Sequence, residues 1–190
     1  MRTAFLLSCR ADNAVAVDSD LEYFRTHFVS QPMVNTWHPP ELRVSLTSKP
    51  CKDAISWSLG VPVWSERACE LLGPDLVGHV EFLPLIKIKK TQYFAVNVLT
   101  ICDCLDEDTS EILRTDEGEI LVISEFGLRN GPYPIIFKLP DYASLVFASR
   151  KLADLVIEHR LTNFKFEDPG VNNLALYVSG EDTNVVEGLA

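Results

Sequence analysis

The sequence has no apolar run of the roughly 20 residues that a transmembrane helix requires, and it has few basic residues. Lys and Arg number 17 against 27 Asp and Glu, and the net charge is −10. Because this charge repels nucleic acid and anionic lipid, we expect neither a nucleic-acid partner nor membrane association. The charge favours a basic protein partner, although many cytosolic proteins are acidic only for solubility.

Recognisable catalytic motifs are also missing. There is no G-x-S-x-G, no glycine-rich phosphate loop and no H-E-x-x-H, and the histidines stand apart at His27, His38, His79 and His159. We therefore expect a protein that is not an enzyme, with no catalytic residues, no metal and no cofactor. An enzyme with an unfamiliar site stays open as an alternative.

Cysteine is sparse and irregularly spaced. An odd number of cysteines without short repeats does not suit a disulfide framework. The five are Cys9, Cys51, Cys69, Cys102 and Cys104. We expect reduced, mostly buried thiols in a cytoplasmic protein.

The N-terminal sequence "MRTAFLLSCR" is superficially similar to a lipoprotein signal. Its apolar stretch, Ala4 to Leu7, is shorter than the roughly 7–15 residues that secretion requires. We expect a first β-strand over residues 3–9 instead.

Two stretches share one pattern of strand, serine, helix and strand. They are "VPVWSERACELLGPDLVGHVEFLP" (61–84) and "SLVFASRKLADLVIEHRLTNFKFEDP" (144–169). Ser65 and Ser149 stand where an N-cap hydroxyl would accept hydrogen bonds from the first helical turn. The likeness suggests either an old duplication or the chance similarity of common strand–helix–strand units.

The remaining pattern is rich in strands. A short helix is predicted over 18–28, a long strand or a hairpin over 86–106, a strand at "EILVISEF" (119–126) and a turn at Asn130-Gly131. The whole predicts an α+β fold, with a mixed or antiparallel sheet and a few packed helices.

We expect residues 1–190 to form a single domain. It divides into a variable N-terminal part (1–55), a scaffold (56–170) and a C-terminal strand with an acidic tail (171–190).

The segment "ICDCLDEDTSEI" (101–112) holds two cysteines and five carboxylates. A zinc site would need a second ligand pair downstream of Cys102 and Cys104, and the sequence has none. The two cysteines are expected to share one face at the end of a strand. An acid–base pair would need a carboxyl in an apolar pocket, whereas a dense acidic cluster is solvated.

Calcium is the nearer alternative. Asp106, Asp108, Ser110 and Glu117 fall at positions 1, 3, 5 and 12 of an EF-hand loop. Glu111, however, stands at position 6, where the sharp turn requires glycine, and no helix follows. A solvated turn between strands and a partner-facing acidic surface therefore remain the main interpretations.

Aromatic anchors would complete such a surface, because exposed tryptophan is enriched in binding hot spots. Trp37 lies in the proline-rich loop "QPMVNTWHPPEL" and is the tryptophan most readily placed at the surface. The candidate partner-binding residues are Asp103, Asp106, Glu107, Asp108, Glu111, Asp116, Glu117 and Trp37.

Five phrases of the sequence resemble the bacterial immunity family eleven of polymorphic toxin systems. They are "VPVWSERACELL", "VEFLPL", "YFAVNVLTICDCLD" with Ser110 after it, "IIFKLP" and "FASRKLADLVIEHRLTNFKFEDP". The resemblance covers about residues 55–170 and is largely structural: the serine-led helices, "EFLP", and the Asp106 and Ser110 pair.

The resemblance implies a protein that binds and neutralises a cognate toxin, and it implies no catalytic residues. A nuclease toxin, with the HNH type as the first candidate, would be basic because it binds phosphates, so an acidic inhibitor would gain association rate. The alternatives are a calcium- or small-molecule-binding sensor and an adaptor or chaperone for a secreted effector. The sequence carries no argument about the oligomeric state.

Overall fold

Antiparallel β-ladders dominate the described part of the chain, where two short helices pack against them. The computed structural model describes residues 4–9, 15–17, 28–40, 42–44, 52–55, 61–118, 120–140, 142–170 and 175–178. The predicted α+β class is confirmed. No helix within these ranges is long and apolar enough to cross a membrane.

The elements follow in chain order. The strands are β1 Ala4–Cys9, β2 Val15–Val17, β3 Leu42–Val44, β4 Ala54–Ile55, β5 Val63–Ser65, β6 Val80–Ile88, β7 Thr91–Val98, β8 Glu111–Arg114, β9 Ile120–Glu125, β10 Ile136–Leu139, β11 Tyr142–Ser149, β12 Phe164–Glu167 and β13 Ala175–Val178. The helices are α1 Glu66–Leu72, which continues into a 3-10 turn at Gly73–Asp75, and α2 Arg150–Glu158.

The strands form a five-stranded sheet in the order β10-β11-β1-β12-β13 and a four-stranded sheet in the order β4-β5-β7-β6. Two further ladders pair β2 with β3 and β8 with β9. The named ladders are antiparallel, and one isolated bridge, between Ile101 and Lys138, is parallel.

The two predicted strand–helix–strand units are confirmed, and they have the same topology. In the first, β5 and β6 lie on either side of β7, and both run antiparallel to it. In the second, β11 and β12 lie on either side of β1 in the same way. Each unit is therefore a split unit: its two strands are parallel to each other and hold one inserted antiparallel strand between them.

The two serines before the helices behave differently. Ser65 Oγ accepts a hydrogen bond from the Ala68 N–H at 3.2 Å, so the predicted cap is confirmed. The prediction for Ser149 is wrong, because its side chain makes no capping hydrogen bond to α2. Ser149 does occupy the N-cap position, and like Ser65 it is the buried last residue of its strand with an extended backbone, so the two differ only in the hydrogen bond.

One apolar core joins the two units. It takes Ala68 and Leu72 from α1 and Leu152 and Val156 from α2. Burying each leucine or valine side chain contributes roughly 1.5–3 kcal/mol. Both helices are too short to be stable in isolation, so their stability comes from packing against this shared core.

Asp53 adds a polar connection between the units. Its carboxylate accepts hydrogen bonds from Ser65 Oγ at 3.0 Å and from Arg67 Nη1 at 2.8 Å, both in the first unit. It also accepts the N–H and the hydroxyl of Thr162, just before β12, at 2.9 Å each. The carboxylate is 11% exposed, so four charge-assisted hydrogen bonds replace most of its hydration.

Three buried or half-buried polar side chains anchor the segment that precedes β3. Lys138 Nζ, in β10, donates to the Phe28 carbonyl at 2.6 Å, and Asn97 Nδ2 donates to the Gln31 carbonyl at 2.9 Å. Glu81 accepts a hydrogen bond from the Met33 N–H. Burial lowers the pKa of Lys138 to about 8, because the low-dielectric interior disfavours the charged amine.

Several predictions are confirmed locally, and others lie outside the described residues. The first strand and the β6–β7 hairpin are confirmed, and Lys89 takes positive φ in the hairpin turn. The stretch at Asn130-Gly131 bends, and it links β9 to β10 across two different sheets. The helix predicted over 18–28 lies outside the described residues except for Phe28, as does the C-terminal tail after β13.

Candidate partner-binding surface

All seven predicted carboxylates lie in one segment, residues 103–129, which we call the acidic arm. It contains a turn (103–110), the β8–β9 ladder and the residues just after β9. Nine Asp or Glu and two Arg occur in it, a net −7 out of the −10 of the whole chain. The chain's excess negative charge is therefore concentrated on this part of the fold.

The Ser110 hydroxyl holds the turn of the acidic arm against the end of β9. Ser110 Oγ donates to the Asp106 carbonyl at 2.6 Å and accepts the Gly127 N–H at 2.9 Å. The Asp106 N–H in turn donates to the Gly127 carbonyl at 2.9 Å. This arrangement, which we call the Ser110 latch, gives the Asp106 and Ser110 pair of the sequence pattern a structural role.

The latch requires glycine at position 127. A Cβ atom there would lie 2.1 Å from Thr109 Oγ1 and 2.8 Å from the Thr109 carbonyl carbon. Such distances are far below van der Waals contact, so any larger residue would push the turn away from β9.

Both arginines of the arm bind within it. Arg129 donates through Nη1 to the Leu105 carbonyl at 2.8 Å and through Nη2 to Asp103 Oδ1 at 3.0 Å. Arg114 forms an ion pair with Glu107 and donates to the Gly118 carbonyl. These pairs fasten the arm internally and still leave it strongly acidic.

The predicted carboxylates are mostly exposed. Asp106 is half-buried, and its Oδ1 accepts the Asp108 N–H at 3.3 Å within the turn. The exposed ones are Asp103, Glu107, Asp108, Glu111, Asp116 and Glu117. The structure therefore brings the seven predicted carboxylates into one continuous stretch, from the turn to the tip of the β8–β9 ladder.

The β8–β9 ladder has one face toward the core and one toward solvent. Ile112 and Ile123 are cross-strand partners on the inner face, packed in the cluster around Phe126. Leu113 and Val122 are cross-strand partners on the outer face, and their exposed fractions are 59% and 51%. Sequence reasoning missed this pair, although the alternation of "EILR" against "ILVISE" could have indicated it.

An open cleft of about 290 Å³ lies at the base of the arm. Asp106 and Glu125 contribute carboxylates to its lining, and Asn130 and Tyr133 contribute an amide and a phenol. The carboxylates of this cleft could accept hydrogen bonds from a ligand. The volume of the cleft would fit a single side chain or a small molecule.

The cysteines of the segment lie in a tight turn rather than on a strand. The Cys104 N–H donates to the Cys102 carbonyl at 3.0 Å, and β7 has already ended at Val98. The prediction of a shared strand face is therefore wrong, because the chain turns here instead of staying extended.

Burial, followed by a hydrogen bond with the Cys102 thiol, raises the pKa of the Cys104 thiol to about 12. A thiol that stays protonated at neutral pH is a poor nucleophile and a poor metal ligand. Cys69, Cys102 and Cys104 are free thiols. Cys51 lies outside the described residues.

The EF-hand spacing does not become a calcium loop. Glu111 begins β8, so the chain extends over four residues, about 13 Å at the usual rise of a strand. The strand carries Glu117 to the far end of the ladder from Asp106. Across the ranges that the structure describes, no group of three or more His, Cys, Asp or Glu side chains is placed to hold a metal ion.

Trp37 is positioned by a different part of the fold. Its Nε1 donates to the Pro84 carbonyl of β6 at 2.7 Å, and its ring meets Phe28 edge-on at 5.9 Å. The side chain is half-buried against the cluster of the four-stranded sheet. A contribution of Trp37 to partner binding stays a prediction, and its contacts with this sheet are structural.

The chain was compared with known proteins. No protein-family model matches it, and no curated protein matches it.

Proposed function

We propose that this chain is an immunity protein that binds and neutralises a cognate bacterial toxin through the acidic arm. The observation that supports this most directly is the concentration of charge: the arm carries nine Asp or Glu against two Arg. A partner recognised by such a surface is basic, because complementary potentials speed encounter and exclude like-charged competitors.

The internal fastening of the arm supports a binding role. The Ser110 latch and the Arg129 hydrogen bonds hold the carboxylates before any partner arrives. A surface that is already ordered loses less conformational entropy on association, so more of its contact energy is available as affinity. An acidic surface that served only solubility would not need this ordering.

The proposed partner is a cytosol-acting nuclease toxin, with an HNH-type domain as the first candidate. Nucleases bind phosphates with Lys and Arg side chains, so their substrate surfaces are basic. An acidic arm placed on that surface would prevent the substrate from binding. The resemblance of residues 55–170 to the immunity family supports the same proposal.

A small-molecule sensor is a second candidate, favoured by the cleft that Asp106, Glu125, Asn130 and Tyr133 line. An adaptor that carries a secreted effector would use the acidic arm in the same way as an inhibitor. Toxicity separates the two protein-binding roles, because an adaptor binds its effector without blocking it.

The test is co-expression with the product of the adjacent gene in the cytoplasm. We expect that product to stop growth alone, to be tolerated with this chain, and to elute with it during purification. Co-elution without rescue of growth would support the adaptor. If the product of the adjacent gene is harmless and does not bind this chain, the immunity proposal is refuted.

A further inference from the structure

The outer face of the β8–β9 ladder is an apolar pair set in an acidic surface. Leu113 and Val122 lie opposite each other across the ladder, and more than half of each side chain is exposed. Their neighbours Ile112 and Ile123 already supply the contacts of the ladder with the core. The packing of the fold therefore does not require two large apolar side chains on the outer face.

The surroundings of the pair indicate what would cover it. Glu111 lies two residues before Leu113 in β8, Arg114 directly follows Leu113, and Asp116 and Glu117 lie at the tip of the ladder. An apolar centre with a charged rim is the usual anatomy of a protein interface. The rim here is negative apart from Arg114, so it complements a basic surface.

The negative charge of the arm also argues against other occupants of this outer face. A second copy of this chain would bring two arms of net −7 together, and like charges at close range repel. Nucleic acid is repelled in the same way. A basic protein surface with an apolar centre is the occupant that both the pair and its rim fit.

We propose that Leu113 and Val122 are the apolar anchor of the partner interface and pack against the basic toxin surface. This inference rests on the proposed function, because the partner is the toxin inferred above. The carboxylates speed the encounter, and the apolar pair slows dissociation once water has been excluded from the contact.

The test measures association and dissociation rates of the full chain with the co-purified partner. Leu113→Thr and Val122→Thr are combined, because threonine is favoured in strands and presents a smaller and more polar surface than either residue. We expect the dissociation rate to rise by roughly 30-fold or more, as for two anchors of at least 1 kcal/mol each. The association rate should change little.

A matched control replaces two exposed apolar residues elsewhere. Val77, in the turn after α1, is 81% exposed, and Ile157, on α2, is 47% exposed. Val77→Thr combined with Ile157→Thr should leave both rates within about twofold of the original chain. Hydrogen exchange of the unmodified chain gives a second readout that needs no variant: the β8 and β9 amides should exchange more slowly in the complex.

The outcomes separate this inference from the proposed function. If the unmodified chain binds no partner, the proposed function fails and the anchor fails with it. If the unmodified chain binds, but the Leu113 and Val122 variant dissociates at the same rate, the anchor is refuted and the function stands. Self-association that the same double variant abolishes would assign the face to a second copy instead.

Discussion

The carboxylate of Asp53 accepts both the backbone N–H and the hydroxyl of Thr162, at 2.9 Å each, across 109 positions of the chain. The same carboxylate also binds Ser65 and Arg67, which begin the first helix. One side chain thus ties the start of α1 to the residues that lead into β12. The two split units are held together by this polar contact as well as by their shared apolar core.

Removal of the Asp53 carboxylate should destabilise the fold strongly. Asp53→Ala is expected to lower the free energy of unfolding by about 3 kcal/mol, because the groups it binds lose a buried charged partner. Urea unfolding followed by circular dichroism would measure the change. Asp154→Ala is the matched control: its pair with Arg150 is exposed and should be worth less than about 0.5 kcal/mol.

The contribution of the Ser110 latch to stability should also be measurable by urea unfolding. Ser110→Ala removes the hydroxyl that binds both Asp106 and Gly127, and we expect a loss of about 1–2 kcal/mol. Amide exchange in residues 104–110 should quicken. Ser124→Ala removes an exposed hydroxyl that binds Glu111, so a comparable loss there would contradict the special role of Ser110.

Gly127→Ala should have a larger effect than Ser110→Ala. The added methyl group would lie within 3 Å of both the side chain and the backbone of Thr109. The turn must then move away from β9, which also breaks the hydrogen bonds between Asp106 and Gly127. A smaller shift in the urea midpoint than for Ser110→Ala would show that the turn tolerates the displacement.

Reversal of charge on the arm should slow partner association. Asp108→Lys combined with Glu117→Lys is expected to reduce the association rate about tenfold at low ionic strength, because the steering field weakens. The reduction should shrink at high salt, where the Debye length is only about 3 Å. Stopped-flow association with the co-purified partner provides the measurement.

The control for this prediction makes the same change in net charge elsewhere. Glu70→Lys and Glu158→Lys alter exposed carboxylates on the helices. Equal slowing by both pairs of substitutions would mean that total charge, rather than the acidic arm, steers the partner.

The lowered pKa of Lys138 predicts a specific dependence of the free energy of unfolding on pH. Its pKa is about 8 in the folded chain and 10.5 when exposed, so between these values the unfolded chain binds more protons. The free energy of unfolding therefore rises with pH across this window, by about 3 kcal/mol from this group. Below pH 8 the cost of burying the charged amine is present in full.

A Lys138→Met variant isolates that contribution. The difference in unfolding free energy between the original chain and the variant should shift in favour of the original chain as pH rises from 8 to 10.5. A difference that is constant over this range would mean that the buried amine does not titrate there.

The sequence predicted the local units and missed the long-range pairings. Hydrophobic periodicity located α1, α2 and their flanking strands, because each pattern needs only about ten neighbouring residues. It could not reveal that β1 inserts between β11 and β12, since no local signal specifies a partner some 145 residues away. Ser149 and Ser65 share an extended backbone at the N-cap position, and only Ser65 makes the capping hydrogen bond.

The features of the candidate site also divide into those that the sequence predicts and those that only the fold reveals. The carboxylates of the arm are visible as composition, so seven of its nine could be named in advance. The latch between Ser110 and Gly127, the cleft, and the exposed Leu113 and Val122 pair depend on the register of β8 against β9. Trp37 was chosen for its residue type, and its contacts with Pro84 and Phe28 could be read only from the fold.

The insertion of β1 has a consequence for how the chain is made. Ala4 pairs with Ser149 and Cys9 pairs with Phe164, so β1 leaves the ribosome long before either neighbouring strand exists. The first split unit, whose strands lie close together in the chain, can form early during synthesis. The five-stranded sheet cannot form until β12 has emerged. Its formation is therefore a late and slow step of folding, and until then the apolar strand β1 is exposed and can be bound by chaperones.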